Sequence, residues 1–263
     1  MNHSPSRVFA LILLLATTSL CGSLFADQKF DDLRKAAEQG DAVAQFNFGV
    51  TYRKGEGVAK DPAEAVKWWR KAAEQGMADA QFLLGAAYRK GEGVAKDPVE
   101  AVKWYRRAAE QGDADAQLML GFAYARGRGV AHDMVDMVEA VKWWRKAAEQ
   151  GDAEAQFSLG GAYYFGEGVA KDQVEAVKWT RKGAEQGNAL AQVNLGNAYL
   201  EGDGVAKDQV EGYAWINLSA VTLGAAKEKR AELEKSMTAQ QVVDGQKRST
   251  ALSAFIKANQ AKK

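Results

Sequence analysis

A 36-residue unit, repeated in register along most of the chain, constrains the fold more than any other feature. It is clearest from Met77 to Gly112, MADAQFLLGAAYRKGEGVAKDPVEAVKWYRRAAEQG. The glycine closing each A-Q-x-x-(F/L)-G segment falls at Gly49, Gly85, Gly121, Gly160 and Gly196, at spacings of 36, 36, 39 and 36. Self-similarity at this period marks a stacked array, because one such unit cannot bury its apolar face alone. The expected fold is therefore an all-α solenoid of five helix-turn-helix repeats, at 41–76, 77–112, 113–151, 152–187 and 188–224.

Each unit predicts two helices. In the first, helix A, Ala80, Leu84 and Tyr88 recur four apart with Gly85 beside them, so all share one face. In the second, helix B, Ala101, Trp104, Ala108 and Ala109 form a single apolar stripe. The intervening GEGVAKD supplies two glycines able to take positive φ where the chain leaves helix A. Helix B opens on D-x-x-E in every unit: Asp61 with Glu64, Asp97 with Glu100, Asp136 with Glu139, Asp172 with Glu175, and Asp208 with Glu211. These pairs read as capping boxes, in which Asp accepts from first-turn amides and Glu reaches back to the cap amide. Recurrence at one local position favours capping over acid/base catalysis. In the third unit AHDMVDMVEA replaces AKDPVEA, and the three added residues predict nearly one more helical turn or a longer loop.

The ends differ from the repeats. Residues 1–26 hold no acidic residue and one basic residue, Arg7, ahead of the apolar run Val8 to Ala16. That run is too short to span a bilayer and fits a secretory signal, with cleavage after Ala26 or, alternatively, after Ser23. Cys21 raises a lipid anchor, against which Leu20 is large for a lipobox. The chain is thus expected to be periplasmic or secreted. Residues 27–40 match only the second half of a unit and predict an N-terminal capping helix. In the fifth unit Gly212, Leu218 and Val221 replace the usual Ala, Lys and Glu, as if a cover lay over that face. Residues 225–263 supply it as C-terminal capping helices, one around Ala225 to Lys235 and one after Thr238, with Val242, Ser249, Leu252, Phe255 and Ile256 as an apolar stripe.

Composition narrows function. Removing Arg7 leaves 34 basic residues against 34 acidic ones, and Lys and Arg alternate with Glu and Asp along helix B, which disfavours nucleic-acid binding. The single cysteine lies in the leader, so no disulfide is expected. The two histidines are His3 and His132, the latter in a loop where sister units carry Lys60, Lys96, Lys171 and Lys207, and a lone surface histidine lacks the nucleophile and orienting partner of a catalytic base. No zinc spacing, phosphate loop or dinucleotide fingerprint is present. No catalytic residue, metal site or cofactor is expected.

The pattern A-x-x-x-L-G-x-x-Y-x-x-G-x-G-V followed by D-x-x-x-A-x-x-W-x-x-x-A-A-x-x-G resembles the Sel-one-like repeat, a relative of the tetratricopeptide repeat, over roughly 28–224. Leu84, Gly85, Tyr88, Gly91, Gly93, Ala101, Trp104, Ala108, Ala109 and Gly112 fall on the family's structural motif positions. The resemblance implies a right-handed α superhelix that binds other proteins, and a non-enzymatic scaffold, adaptor or regulator. A branch of the family linked to β-lactam binding or hydrolysis carries a cysteine pair in each repeat. This chain departs from that pattern, and a β-lactam enzyme is the alternative reading.

Two surfaces are candidates for binding. All seven tryptophans fall in helix B. Trp68, Trp104, Trp143, Trp179 and Trp215 take the core stripe, whereas Trp69 and Trp144, at a position held elsewhere by Tyr105, Thr180 and Ile216, are expected to be partly exposed, with glycan binding as a weaker option. In helix A, the stripe opposite the recurring residues differs in every unit. It contains Asn47, Val50 and Lys54; Leu83 and Lys90; Met119, Phe122 and Arg126; and Phe165. If helix A lines the concave side, as the tetratricopeptide likeness implies, these residues pave a groove for a protein or peptide with apolar anchors and acidic residues. The competing reading is that Met119 and Phe122 only pack on adjacent helices.

Overall fold

The computed structural model describes residues 28–130 and 135–262. The expected leader with its cleavage positions and Cys21, and His132, lie outside these residues. The described residues are helical with no strand, and the helices pack in successive pairs as a helical repeat solenoid. By Cα proximity the chain divides into two compact units, the first ending at Ala108 and the second starting at Ala109.

The first unit holds α1 (28–38), α2 (Ala42–Lys54), α3 (Pro62–Glu74), α4 (Ala78–Lys90) and most of α5 (Pro98–Glu110). Phe30 of α1 packs against Phe48 with ring centroids 5.4 Å apart, and Phe48 meets Tyr52 and Trp68 edge-on. This aromatic cluster packs α1 against α2 and α3, with Ala37 and Ala44 buried beside it. The second unit holds α6 (Ala114–Ala125), α7 (Met137–Glu149), α8 (Ala153–Phe165), α9 (Gln173–Glu185), α10 (Ala189–Glu201), α11 (Gln209–Ser219), α12 (Gly224–Ser236) and α13 (Ala239–Gln260). Each of α6 to α10 packs on the helix that follows it, and α11 is covered by α12 and α13.

The loops between helices A and B repeat one hydrogen-bonding plan. Gly55, Gly91, Gly166 and Gly202 end α2, α4, α8 and α10 in the left-handed region. The second loop glycine serves close approach. A Cβ on Gly93, Gly168 or Gly204 would lie about 2 Å from the carbonyl oxygen of Pro62, Met137 or Gln173, the first residue of the preceding helix B. The loop then closes by an amide-to-carbonyl bond from the Asp cap to the helix A tyrosine: Asp61 to Tyr52, Asp97 to Tyr88, Asp136 to Tyr124, Asp172 to Tyr163 and Asp208 to Tyr199, at 2.9–3.0 Å. The third repeat keeps this bond, and α7 starts at Met137 with the usual length, so its three added residues lengthen the loop and not the helix.

That bond also corrects the capping boxes. The Asp carboxylates accept from the first-turn amides as expected. The Glu residues do not reach back, since the cap amide is already given to the tyrosine carbonyl; Glu64, Glu100, Glu139 and Glu175 pair with Lys67, Lys103, Lys142 and Lys178 one turn on. A two-way box forms only at Thr238 with Gln241, among the described helices.

The exposure expected for Trp69 and Trp144 is overturned. Trp69 is 4% and Trp144 6% exposed, and both lie against the helix A glycine of their repeat. It is Trp68 that is half-buried. The cover over α11 is real but partial. Gly212 and Tyr213 are buried, the Tyr213 ring lies against Gly245 of α13, and Arg248 holds Glu211 by two hydrogen bonds, whereas Val221 is 77% and Phe255 48% exposed.

Candidate functional site

Helix A has two faces with opposite tasks. The inner face is built from Ala, Gln, Leu or Phe, and Gly. A Cβ on Gly49, Gly85, Gly121, Gly160 or Gly196 would stand 2.4–2.9 Å from Trp69, Tyr105, Trp144, Thr180 or Ile216 of the paired helix B. The glutamine of the motif, unassigned in the sequence reading, is a buried cross-brace. Gln45, Gln81, Gln117, Gln156 and Gln192 each donate from Nε2 to the carbonyl eight residues back, at 3.0–3.2 Å. The glutamine ending helix B donates in turn to that side chain: Gln75 to Gln45, Gln150 to Gln117 and Gln186 to Gln156. The identical spacing of the A-Q and E-Q-G pairs carries this signal. Tyr88, Tyr163 and Tyr199 accept from Arg70, Arg145 and Arg181 of the previous helix B, whose guanidinium groups also lie 5.4–5.5 Å from the ring centroids.

The outer face carries the predicted binding residues. In the first unit Asn47, Lys54 and Lys90 are exposed, while Val50 and Leu83 are half-buried. Lys54 pairs with Glu56 at 3.4 Å. In the second unit Arg126 and Phe165 are exposed and Met119 and Phe122 half-buried. Met119 and Phe122 rest on the core cluster of Leu118, Val141, Trp144 and Leu159. Phe122 meets Trp144 edge-on at 5.6 Å, and the Arg126 guanidinium lies 4.9 Å from the Phe122 centroid. These two side chains thus join the core on one side and reach solvent on the other.

Within the second unit the outer face deepens into a cavity of about 240 Å³ between α8, α9 and α10, bordered by Tyr164, Phe165, Asn194, Asn197, Glu201 and Asp203. Phe165 is 68% exposed and meets Tyr164 edge-on at 5.0 Å. The Tyr164 hydroxyl donates to Asp203 Oδ2 at 3.1 Å. That hydrogen bond, the negative charge of Asp203, burial and the charge of Glu201 hold the Tyr164 hydroxyl above its ordinary pKa. Among the described residues no group of three His, Cys, Asp or Glu side chains is placed to hold a metal, and no helix is long and apolar enough to cross a membrane.

The Sel1 repeat profile matches residues 33–41, 42–77, 78–113, 114–152, 153–188 and 189–220. The chain belongs to the Sel1 repeat family. Among solved structures similar to this Sel1 repeat protein is c5321, described as a protective antigen present in uropathogenic Escherichia coli strains displaying an SLR fold. It has a TM-score of 0.79 and 40% identity over 90% of this chain, which spans 51% of that one. A Sel1 repeat protein from Oxalobacter formigenes aligns at a TM-score of 0.70 and 39% identity, covering 80% of this chain and 85% of the other. None of the curated proteins matches. Sel1 repeats generally serve as protein-interaction scaffolds, and the family is mostly non-enzymatic.

Proposed function

We propose that this Sel1 repeat protein is an exported, non-enzymatic scaffold or adaptor that recognises a polypeptide on the outer face of helix A. The observation that carries this reading is the division of labour within helix A. The inner Ala, Gln and Gly recur in every repeat, with Leu or, at Phe48, Phe between them, and are consumed by packing, whereas the outer residues differ and keep apolar surface in water, through Phe165 and the free edges of Met119 and Phe122. Exposed aromatic and apolar side chains beside cationic ones suit a peptide carrying apolar anchors. Arg126, exposed beside Phe122, adds a contact for an acidic residue.

The test is affinity capture from envelope extracts with wild type and the Met119→Ser/Phe122→Ser variant as baits, alongside thermal unfolding of both. Loss of specific partners with little change in melting supports the surface. A collapse in stability with partners retained up to unfolding assigns both residues to the core alone. Export has its own measurement. The intact mass of the protein recovered from the envelope should lack about 26 residues, the length of the leader, and recovery of the whole chain from the cytoplasm contradicts export.

A further inference from the structure

The cavity between α8, α9 and α10 differs in chemistry from the rest of the outer face. Ligand pockets for drug-sized molecules occupy about 300–1,000 Å³. At about 240 Å³ this one has room for a side chain and not for a larger molecule. Its charged groups are both carboxylates, set beside Thr180, Asn194 and Asn197, which can donate or accept. Glu201 is an exposed carboxylate at the end of α10, and Asp203 has one oxygen engaged by the Tyr164 hydroxyl and the other available. Asn197 lines the cavity with its Oδ1 buried and unpartnered among the described residues.

Lysine and arginine heads are donors only. A carboxylate in the same place would meet two like charges. The aromatic side of the cavity completes the match, because Phe165 and Tyr164 present ring surface along which an aliphatic stem can lie and over which a cation is attracted. The protein's own Lys171 already takes a station 5.7 Å from the Tyr164 centroid, without being part of the cavity lining.

We propose that this cavity receives a lysine or arginine side chain of the polypeptide partner, its head on Glu201 and Asp203 and its stem against Phe165. The inference rests on the outer-face reading above and adds a polarity to it within the second unit: acidic partner residues toward Arg126, a basic one at α8 to α10.

The experiment uses fluorescein-labelled synthetic octapeptides with leucine and phenylalanine flanks and one central residue, lysine, arginine, norleucine or glutamate. Binding to the chain lacking its leader is read by fluorescence anisotropy at physiological salt. The lysine and arginine peptides should bind at least about tenfold more tightly than the norleucine peptide, the scale of one charge-assisted hydrogen bond, and the glutamate peptide should bind weakest. Glu201→Gln/Asp203→Asn, which keeps the acceptor for Tyr164, should erase that preference while leaving norleucine binding in place. Glu201→Gln alone, at an exposed position, should erase part of it. Equal binding of all four peptides, a preference that survives neutralisation, or no binding by any peptide overturns the proposal. If all four bind alike and Met119→Ser/Phe122→Ser abolishes that binding, the cavity inference fails and the outer-face reading stands. If the cationic preference persists in Met119→Ser/Phe122→Ser at undiminished affinity, the cavity stands and the stripe reading fails.

Discussion

A glycine inside a helix costs about 1 kcal/mol relative to alanine, yet every helix A keeps one at its centre. The reason is steric, since the side chain of the paired helix B occupies the space a Cβ would need. Gly160 and Gly161 are neighbours that separate this requirement from chance. A Cβ on Gly160 would stand 2.4 Å from Thr180 Oγ1 and 3.1 Å from a backbone carbonyl, whereas one on Gly161 meets nothing within 4 Å. Gly160→Ala should therefore lose about 1–3 kcal/mol through overpacking, while Gly161→Ala should be neutral or gain up to about 1 kcal/mol from helix propensity. Denaturant titration of the two variants measures this, and equal effects contradict the packing assignment. The same contact explains what was illegible in the sequence. Trp68 and Trp69, adjacent on one helix, are equal in hydrophobicity, and the repeat register favoured Trp68 because it aligns with Trp104 and Trp143. Trp69 is enclosed because the bare Gly49 of the facing helix makes room for it, as Gly121 does for Trp144, a pairing that no single-helix pattern contains.

At the scale of the element, each helix is short, 11–13 residues through α2 to α12, and helices of that length are marginal in water without partners. Asp caps tie the starts of most of them, Asn188 that of α10, and the glutamine braces tie neighbouring helices together. Caps were legible because their chemistry is local: the Asp carboxylate and the amides it accepts from lie within three residues. The Glu half was misread because its competitor, the tyrosine carbonyl, arrives from the preceding helix. The glutamines were legible as a repeated pattern and illegible in role for the same reason. Gln156 donates to the Ala148 carbonyl at 3.0 Å and accepts from Gln186 at 2.7 Å, in a site where it is 4% exposed. Gln156→Ala should cost about 1–3 kcal/mol, the penalty for leaving buried groups unpaired. Urea unfolding checks it; a loss below about 0.5 kcal/mol, typical of a surface substitution, contradicts the brace.

Across the molecule, a repeat that spends one face of helix A on packing leaves the opposite face free to vary, and that separation is the basis of the functional reading. The fold class was legible because five copies of one pattern average out local ambiguity. The outer face was legible only as a set of positions. Its relief was not, because the cavity bordered by Phe165 and Asp203 depends on how α8 and α10 approach, and Phe165 alone reads as another hydrophobe in a helix end. The most direct test of the account is photo-crosslinking from two positions of similar exposure on different helices. Phe165, 68% exposed, lies on the outer face of α8, and Val174, 65% exposed, lies in the first turn of α9. With p-benzoylphenylalanine placed at each position in turn and irradiated in the cell, the account predicts discrete polypeptide adducts from 165 that are absent from 174. Adducts from 174 alone, or the same adducts at both positions, would contradict it.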